Sequence, residues 1–114
     1  MEAINILLVD DHQVVREGLR RMLELESDLH VVGEASDASE ALPQVESFSP
    51  EIVLMDIKMP GLDGIELTRK LRQQYPDTSV IMLTLYDEYL TQAIEAGAVG
   101  YLLKDIKREE VSAI

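Results

Sequence analysis

Two adjacent carboxylates, Asp10 and Asp11, a third at Asp56, the hydroxyl of Thr84 and the ammonium of Lys104 are the groups whose types and settings point to chemistry. Each closes or follows a short apolar run: Ile4–Val9, Ile52–Met55, Ser79–Leu83 and Gly100–Leu103. Asp is a poor strand former, so packing gives no reason for an acid at such a position. Taken singly, each residue reads equally well as a turn starter or a helix cap. Four strand ends closing in polar residues, three acids among them, read otherwise. In a parallel sheet these ends share one edge, the edge at which open α/β folds bind ligands. Three carboxylates within ~5 Å repel by about 3 kcal/mol per pair at an effective dielectric near 20. Such a cluster either holds protons or binds a cation. Oxygen ligands without a His or Cys set favour a hard ion, and an incomplete protein cage suits Mg²⁺. Metal, ammonium and hydroxyl around one carboxylate can hold a phosphoryl group in transfer, with Asp56 attacking in line. The product is an aspartyl phosphate.

The elements that must position these groups follow from hydrophobic spacing. Ile4–Val9 reads as a first strand, Leu29–Ala35 as a second, Ile52–Met55 as a third, Ser79–Thr84 as a fourth and Gly100–Leu103 as a fifth. Between them the period turns helical. Val15, Leu19, Met22 and Leu23 mark a helix over Val14–Glu26, with Asp11 or His12 near its start as a candidate cap. Ala38, Ala41, Leu42 and Val45 mark a second over Ser36–Ser47, in which Pro43 predicts a kink or a late start. Ser49-Pro50 punctuates before the third strand. Ile65–Arg72 reads as a third helix, Tyr89–Ala96 as a fourth stopped by Gly97, and Lys107–Ile114 as the start of a last one. Strands alternating with helices predict an α/β fold, a doubly wound five-stranded parallel sheet with helices on both faces.

Composition narrows the class. The 114 residues suit one domain, with 46% hydrophobic and 28% charged residues in an ordinary globular balance. Lys plus Arg is 10 against 22 for Asp plus Glu, a net charge of −12. That surface repels phosphate backbones and anionic lipid, so neither direct nucleic-acid binding nor membrane binding is expected of this domain. There is no Cys, which removes disulfides, thiol chemistry and Cys-based zinc sites. No apolar run has membrane-spanning length and the N-terminus does not read as a signal peptide, so a cytoplasmic protein is expected.

The chain resembles a response-regulator receiver domain over nearly its whole length. The resemblance rests on the acid pair after strand one, Asp56 followed by Met59-Pro60 and Asp63-Gly64, then Thr84 and Lys104. The stretches Asp11–Leu19, Val32–Ala35 and Gly100–Asp105 are similar to the NarL/FixJ branch in particular. This implies a flavodoxin-like sheet of strand order 2-1-3-4-5 and a receiver domain spanning residues 1–114. It implies that Asp56 is the phosphoacceptor, and that Asp11, the Asp56 carboxylate and the Lys58 backbone carbonyl ligate Mg²⁺. Asp10 then acts largely through a metal-bound water, and Lys104 contacts the phosphoryl group. Thr84 swings towards it and Tyr101 turns inward to fill the vacated space. The implied partners are a sensor histidine kinase carrying the phosphodonor histidine and, on phosphorylation, a second copy of the domain. DNA is contacted through a C-terminal helix-turn-helix domain beyond this chain, whose last helix reads as cut short.

Three positions depart from the family pattern. Asp105 stands where Pro often follows the lysine, and a cis bond before a non-proline residue costs about 2.5–4 kcal/mol, so none is expected. Leu85 follows Thr84 where small residues are common, narrowing the path to the phosphate. The Thr84–Lys104 interval is slightly short for the branch, so a trimmed or disordered loop or first turn is expected at the fourth helix. His12 reads as a surface or capping residue and His30 as a solvated strand opener. Rival readings fit less well. A haloacid-dehalogenase-type phosphatase needs an Asp two residues after Asp56, where Lys58 stands, and a flavodoxin-like cofactor binder needs a Gly-rich turn where Asp10-Asp11-His12 stands. A pseudo-receiver would lack one of the key residues, and all are present.

Overall fold

The computed structural model describes residues 3–56, 63–84 and 90–103. Along the chain run β1 (Ile4–Val9), α1 (Gln13–Glu24), β2 (Leu29–Ala35), α2 (Ala38–Phe48), β3 (Ile52–Met55), α3 (Gly64–Gln74), β4 (Ser79–Thr84), α4 (Leu90–Ala96) and β5 (Gly100–Leu103). The strands form one five-stranded sheet in the order β2-β1-β3-β4-β5. Every neighbouring pair is parallel. The expected topology is therefore the observed one.

Strand alternation sends successive side chains to opposite faces, and in β1 both faces are buried. Leu7 and Val9 join Val53, Met55, Val80 and Met82 in a core closed by Ala41 and Val45 of α2, Leu67 and Leu71 of α3, and Ala93 and Ala96 of α4. Ile6 and Leu8 point the other way, joining Leu54, Ile81 and Leu23 of α1, with Leu19 and Met22 packed against them. Helices thus cover both faces, which is why these strands read as continuous apolar runs.

Helix ends are set by caps. Helix α2 begins at Ala38, two residues later than the apolar spacing suggests, because Asp37 accepts the Glu40 N–H at 3.0 Å. The helix runs through Pro43 and ends at Ser49, whose φ of 45° lies in the left-handed region. Asp63 caps α3 in the same way, accepting the Glu66 N–H at 2.9 Å. Helix α1 spans Gln13–Glu24 rather than Val14–Glu26, and its N-cap His12 makes no side-chain cap bond. Gly97, with φ of 110°, follows the end of α4 as expected. Lys58, Leu85, the loop before α4, Lys104, the Lys104–Asp105 peptide and the last helix lie outside the described residues.

Candidate functional site

Register carries the acids to one edge. Val9 of β1 lies opposite Met55 of β3, and Met55 lies opposite Met82 of β4. The residue after β1 and the residue after β3 are acids, each held by one more rung of the ladder. Asp10 N–H donates to the Ala35 carbonyl at 3.0 Å, and Asp56 N–H donates to the Val9 carbonyl at 2.9 Å. Those rungs fix both backbones where the sheet ends, and both acids are buried, 3% exposed for Asp10 and 5% for Asp56. Asp11 is an exposed residue at the rim.

Asp10, Asp11, Asp56 and His12 each bring one ligand atom into a group whose members all lie within 4.8 Å of one another. Three are carboxylate oxygens, so the donor chemistry fits a hard divalent cation. The fourth is the His12 ring, whose Nδ1 lies 3.1 Å from Asp10 Oδ1 and 3.1 Å from Asp11 Oδ1. The His12 N–H also donates to Asp10 Oδ1 at 2.8 Å. The capping role expected of Asp11 or His12 thus gives way to a turn in which Asp10 holds His12, by both its backbone and its ring. The acid pair needs such donors, since bare carboxylates this close repel.

Arg16 and Glu34, to which the sequence assigned no role beyond membership of the branch-like stretches, hold this turn. The Arg16 guanidinium donates through Nη1 to the Asp10 backbone carbonyl and through Nε to Glu34 Oε1, the latter at 3.1 Å. Arg20 Nε donates to the other Glu34 oxygen at 2.7 Å. A signal existed: helical side chains lean towards the helix N-terminus, so an arginine one turn into α1 leans back over the strand end.

The other expected site residues are placed by backbone alone or lie outside the described residues. Thr84 is the last residue of β4, opposite Leu103, and Tyr101 lies opposite Met82. Thr84 therefore ends its strand at the same edge as Asp56. Lys104 follows Leu103 in the chain and, like Lys58, is outside the described residues.

The sheet, the acid group at its edge and the positions of Thr84 and Leu103 set the frame for comparison with known proteins. The family of response regulator receiver domains matches residues 6–114. The transcriptional regulatory protein DegU of Brevibacillus brevis is 44% identical over 105 residues, covering 90% of this chain and 44% of that protein. The transcriptional regulatory protein LiaR of Bacillus subtilis strain 168 is 44% identical over 111 residues, covering 96% of this chain and 53% of that protein. The chain thus spans about half the length of these curated relatives. Among solved structures, the signal receiver domain of the response regulator NarL from Mycobacterium tuberculosis superposes with a TM-score of 0.93 at 36% identity, covering 99% of this chain and 93% of that one. By the family match and by this likeness in sequence and structure, the chain belongs to the response regulator receiver domains.

Proposed function

We propose that this receiver domain, residues 1–114, accepts a phosphoryl group on Asp56 from a phosphohistidine of a sensor histidine kinase. The observation that carries the reading is the burial of Asp56 at the end of β3 with oxygens of Asp10 and Asp11 close by. A carboxylate oxygen of Asp56 attacks phosphorus, the P–N bond to the donor imidazole breaks, and the electron pair returns to the ring nitrogen. Asp10, Asp11, the Asp56 carboxylate and the Lys58 carbonyl would hold Mg²⁺. When bound, that ion neutralises the acids and the phosphoryl oxygens, allowing anionic partners to approach. Lys104 supplies a fixed positive charge to the transferred group and Thr84 a hydroxyl donor.

Phosphorylation then biases a two-state element. A hydroxyl bond from Thr84 and an ammonium contact from Lys104 could each add roughly 1–3 kcal/mol. Together these approach the ~5.5 kcal/mol that a complete swing of a two-state equilibrium requires. Tyr101 moves as Thr84 moves, and the surface of α4 and β5 reports the change by altering self-association. The output is control of transcription in the cytoplasm through a C-terminal DNA-binding domain outside this chain, a reading supported by the likeness to the transcriptional regulatory proteins DegU and LiaR. The domain itself, with its net charge of −12, makes no direct contact with DNA or membrane.

Incubation with acetyl phosphate tests the acceptor. Uptake of a hydroxylamine-labile phosphoryl group is expected in Mg²⁺, with little in excess EDTA and none in Asp56→Asn. Equal uptake by Asp56→Asn, or equal rates in Mg²⁺ and EDTA, contradicts the reading.

A further inference from the structure

We propose that Arg16, held by Glu34, is a positioning residue for the acid pair, setting the direction in which Asp11 presents its carboxylate to a divalent cation. The inference rests on the functional reading above and adds to it two residues that the acid cluster does not contain. Its basis is a fork of hydrogen bonds. Arg16 Nη1 donates to the Asp10 carbonyl while Nε donates to Glu34 Oε1 at 3.1 Å. The Asp10 carbonyl oxygen lies in the rigid peptide plane that joins Asp10 to Asp11. Whatever fixes that oxygen fixes the plane, and with it the angle at which the Asp11 side chain leaves the backbone. Besides the His12 ring, whose Nδ1 lies 3.1 Å from Asp11 Oδ1, the Asp11 backbone has this one anchor among the described residues, since Asp11 is exposed and follows the last rung of the β1 ladder, which ends at Asp10 N–H.

Glu34 has two functions in this arrangement. It sits in β2, whose pairing with β1 places Glu34 opposite Leu8, so the guanidinium is referenced to the sheet and not only to its own helix. It also neutralises Arg16. An unpaired guanidinium this near three carboxylates would swing onto them as a competing cation, and the fork geometry of arginine suits that as well as it suits Glu34. The Arg16 side chain is 15% exposed and that of Glu34 25%, so the pair is partly withdrawn from water. Glu34 is steadied in turn. Arg20 Nε holds its second oxygen at 2.7 Å, and Gln44 Nε2 from α2 donates to its backbone carbonyl at 2.9 Å.

The test is Mg²⁺ affinity of the unphosphorylated domain, read by NMR shift titration of backbone amides at the acid turn, in folded variants verified by circular dichroism. Arg16→Gln is expected to weaken Mg²⁺ binding by about tenfold, the size usual for loss of a group that orients a metal ligand. Glu34→Gln is expected to weaken it comparably, by releasing Arg16 towards the acids. The double variant is expected to be no worse than Glu34→Gln, because the released competitor is gone. Arg20→Gln touches Glu34 but not Asp10, and its affinity is expected to stay within about twofold of wild type. A residue that merely braces the fold would lower thermal stability and leave Mg²⁺ affinity of the folded protein unchanged. Wild-type affinity in both folded Arg16→Gln and Glu34→Gln overturns the positioning role alone. Absence of any Mg²⁺-dependent shift at the acid turn of the wild type overturns the reading of the site itself, and this proposal with it.

Discussion

Replacing Asp56 with Asn should stabilise the metal-free domain, and the structure sets the size of the effect. One oxygen of each of Asp10, Asp11 and Asp56 lies within 4.8 Å of the others. At the 4.8 Å limit of that group, Coulomb's law gives each charge pair about 0.9 kcal/mol in water and about 3.5 kcal/mol at an effective dielectric near 20. Asp56 takes part in two of these pairs, so neutralising it relieves about 2–7 kcal/mol. Against this stands the interaction that Asp56 makes; were it a charge-assisted hydrogen bond, its loss would cost about 1.5–3 kcal/mol. The His12 N–H and ring, bonded to Asp10 Oδ1, further reduce the repulsion that remains to be relieved. The balance runs from about −1 to about 5.5 kcal/mol, and its centre, a net gain of about 2 kcal/mol, is expected, or roughly 8 °C in melting temperature for a domain of this size. The assay is thermal unfolding followed by circular dichroism at neutral pH and low ionic strength, in EDTA and then in Mg²⁺. Added Mg²⁺ at ten times its Kd should stabilise the wild type by about 1.4 kcal/mol and the variant by less, narrowing the gap. An Asp56→Asn protein that melts below the wild type in EDTA would refute mutual repulsion among these acids.

Three further outcomes are expected. Gly97→Ala should destabilise the domain by about 1–2 kcal/mol in denaturant titration, because a Cβ at φ 110° is strained and would lie 2.6 Å from Arg72 Cγ; phosphate uptake should survive. The hydroxyl of Ser39 and the N–H of Glu40 hold the Asp37 carboxyl below its ordinary value of 3.8. A folded-state value below the unfolded one gives stability that is complete above pH 3.8 and lost as pH falls further, so the melting-temperature deficit of Asp37→Ala should hold at neutral pH and shrink below 3.8. Phosphorylated Thr84→Ala should carry phosphate on Asp56 yet show no change in association state by sedimentation; a wild-type shift would remove Thr84 from the coupling.

Much of the fold was legible because the sheet is buried on both sides. Runs such as Ile4–Val9 and Ile52–Met55 end where apolar side chains give way to the buried acids Asp10 and Asp56, and all five strand ranges agree with those read from the chain. Helix ends were less legible, since they follow caps and not apolar spacing. Asp37 starts α2 at Ala38, and its bond to the Glu40 N–H is decided by local backbone geometry that periodicity does not encode. In the site, Asp10 and Asp56 were legible as acids at the ends of apolar runs. The His12 ring was not, because its approach to both Asp10 and Asp11 depends on how tightly the chain turns from β1 into α1. The Arg16–Glu34 pair joins residues far apart in sequence, and only the parallel pairing of β1 with β2 brings them together.

The central claim is that Asp56 is the acceptor, and chemical mapping of the phosphorylated residue tests it most directly. An aspartyl phosphate is an acyl phosphate, which borohydride reduces to homoserine while leaving unmodified carboxylates intact. The domain should be phosphorylated by acetyl phosphate in Mg²⁺, reduced with borohydride, digested and sequenced by mass spectrometry. Homoserine at position 56, absent when Mg²⁺ is replaced by EDTA, is the predicted result. Homoserine at Asp10 or Asp11 with position 56 unchanged, or phosphate retained on a hydroxyl, would contradict the account.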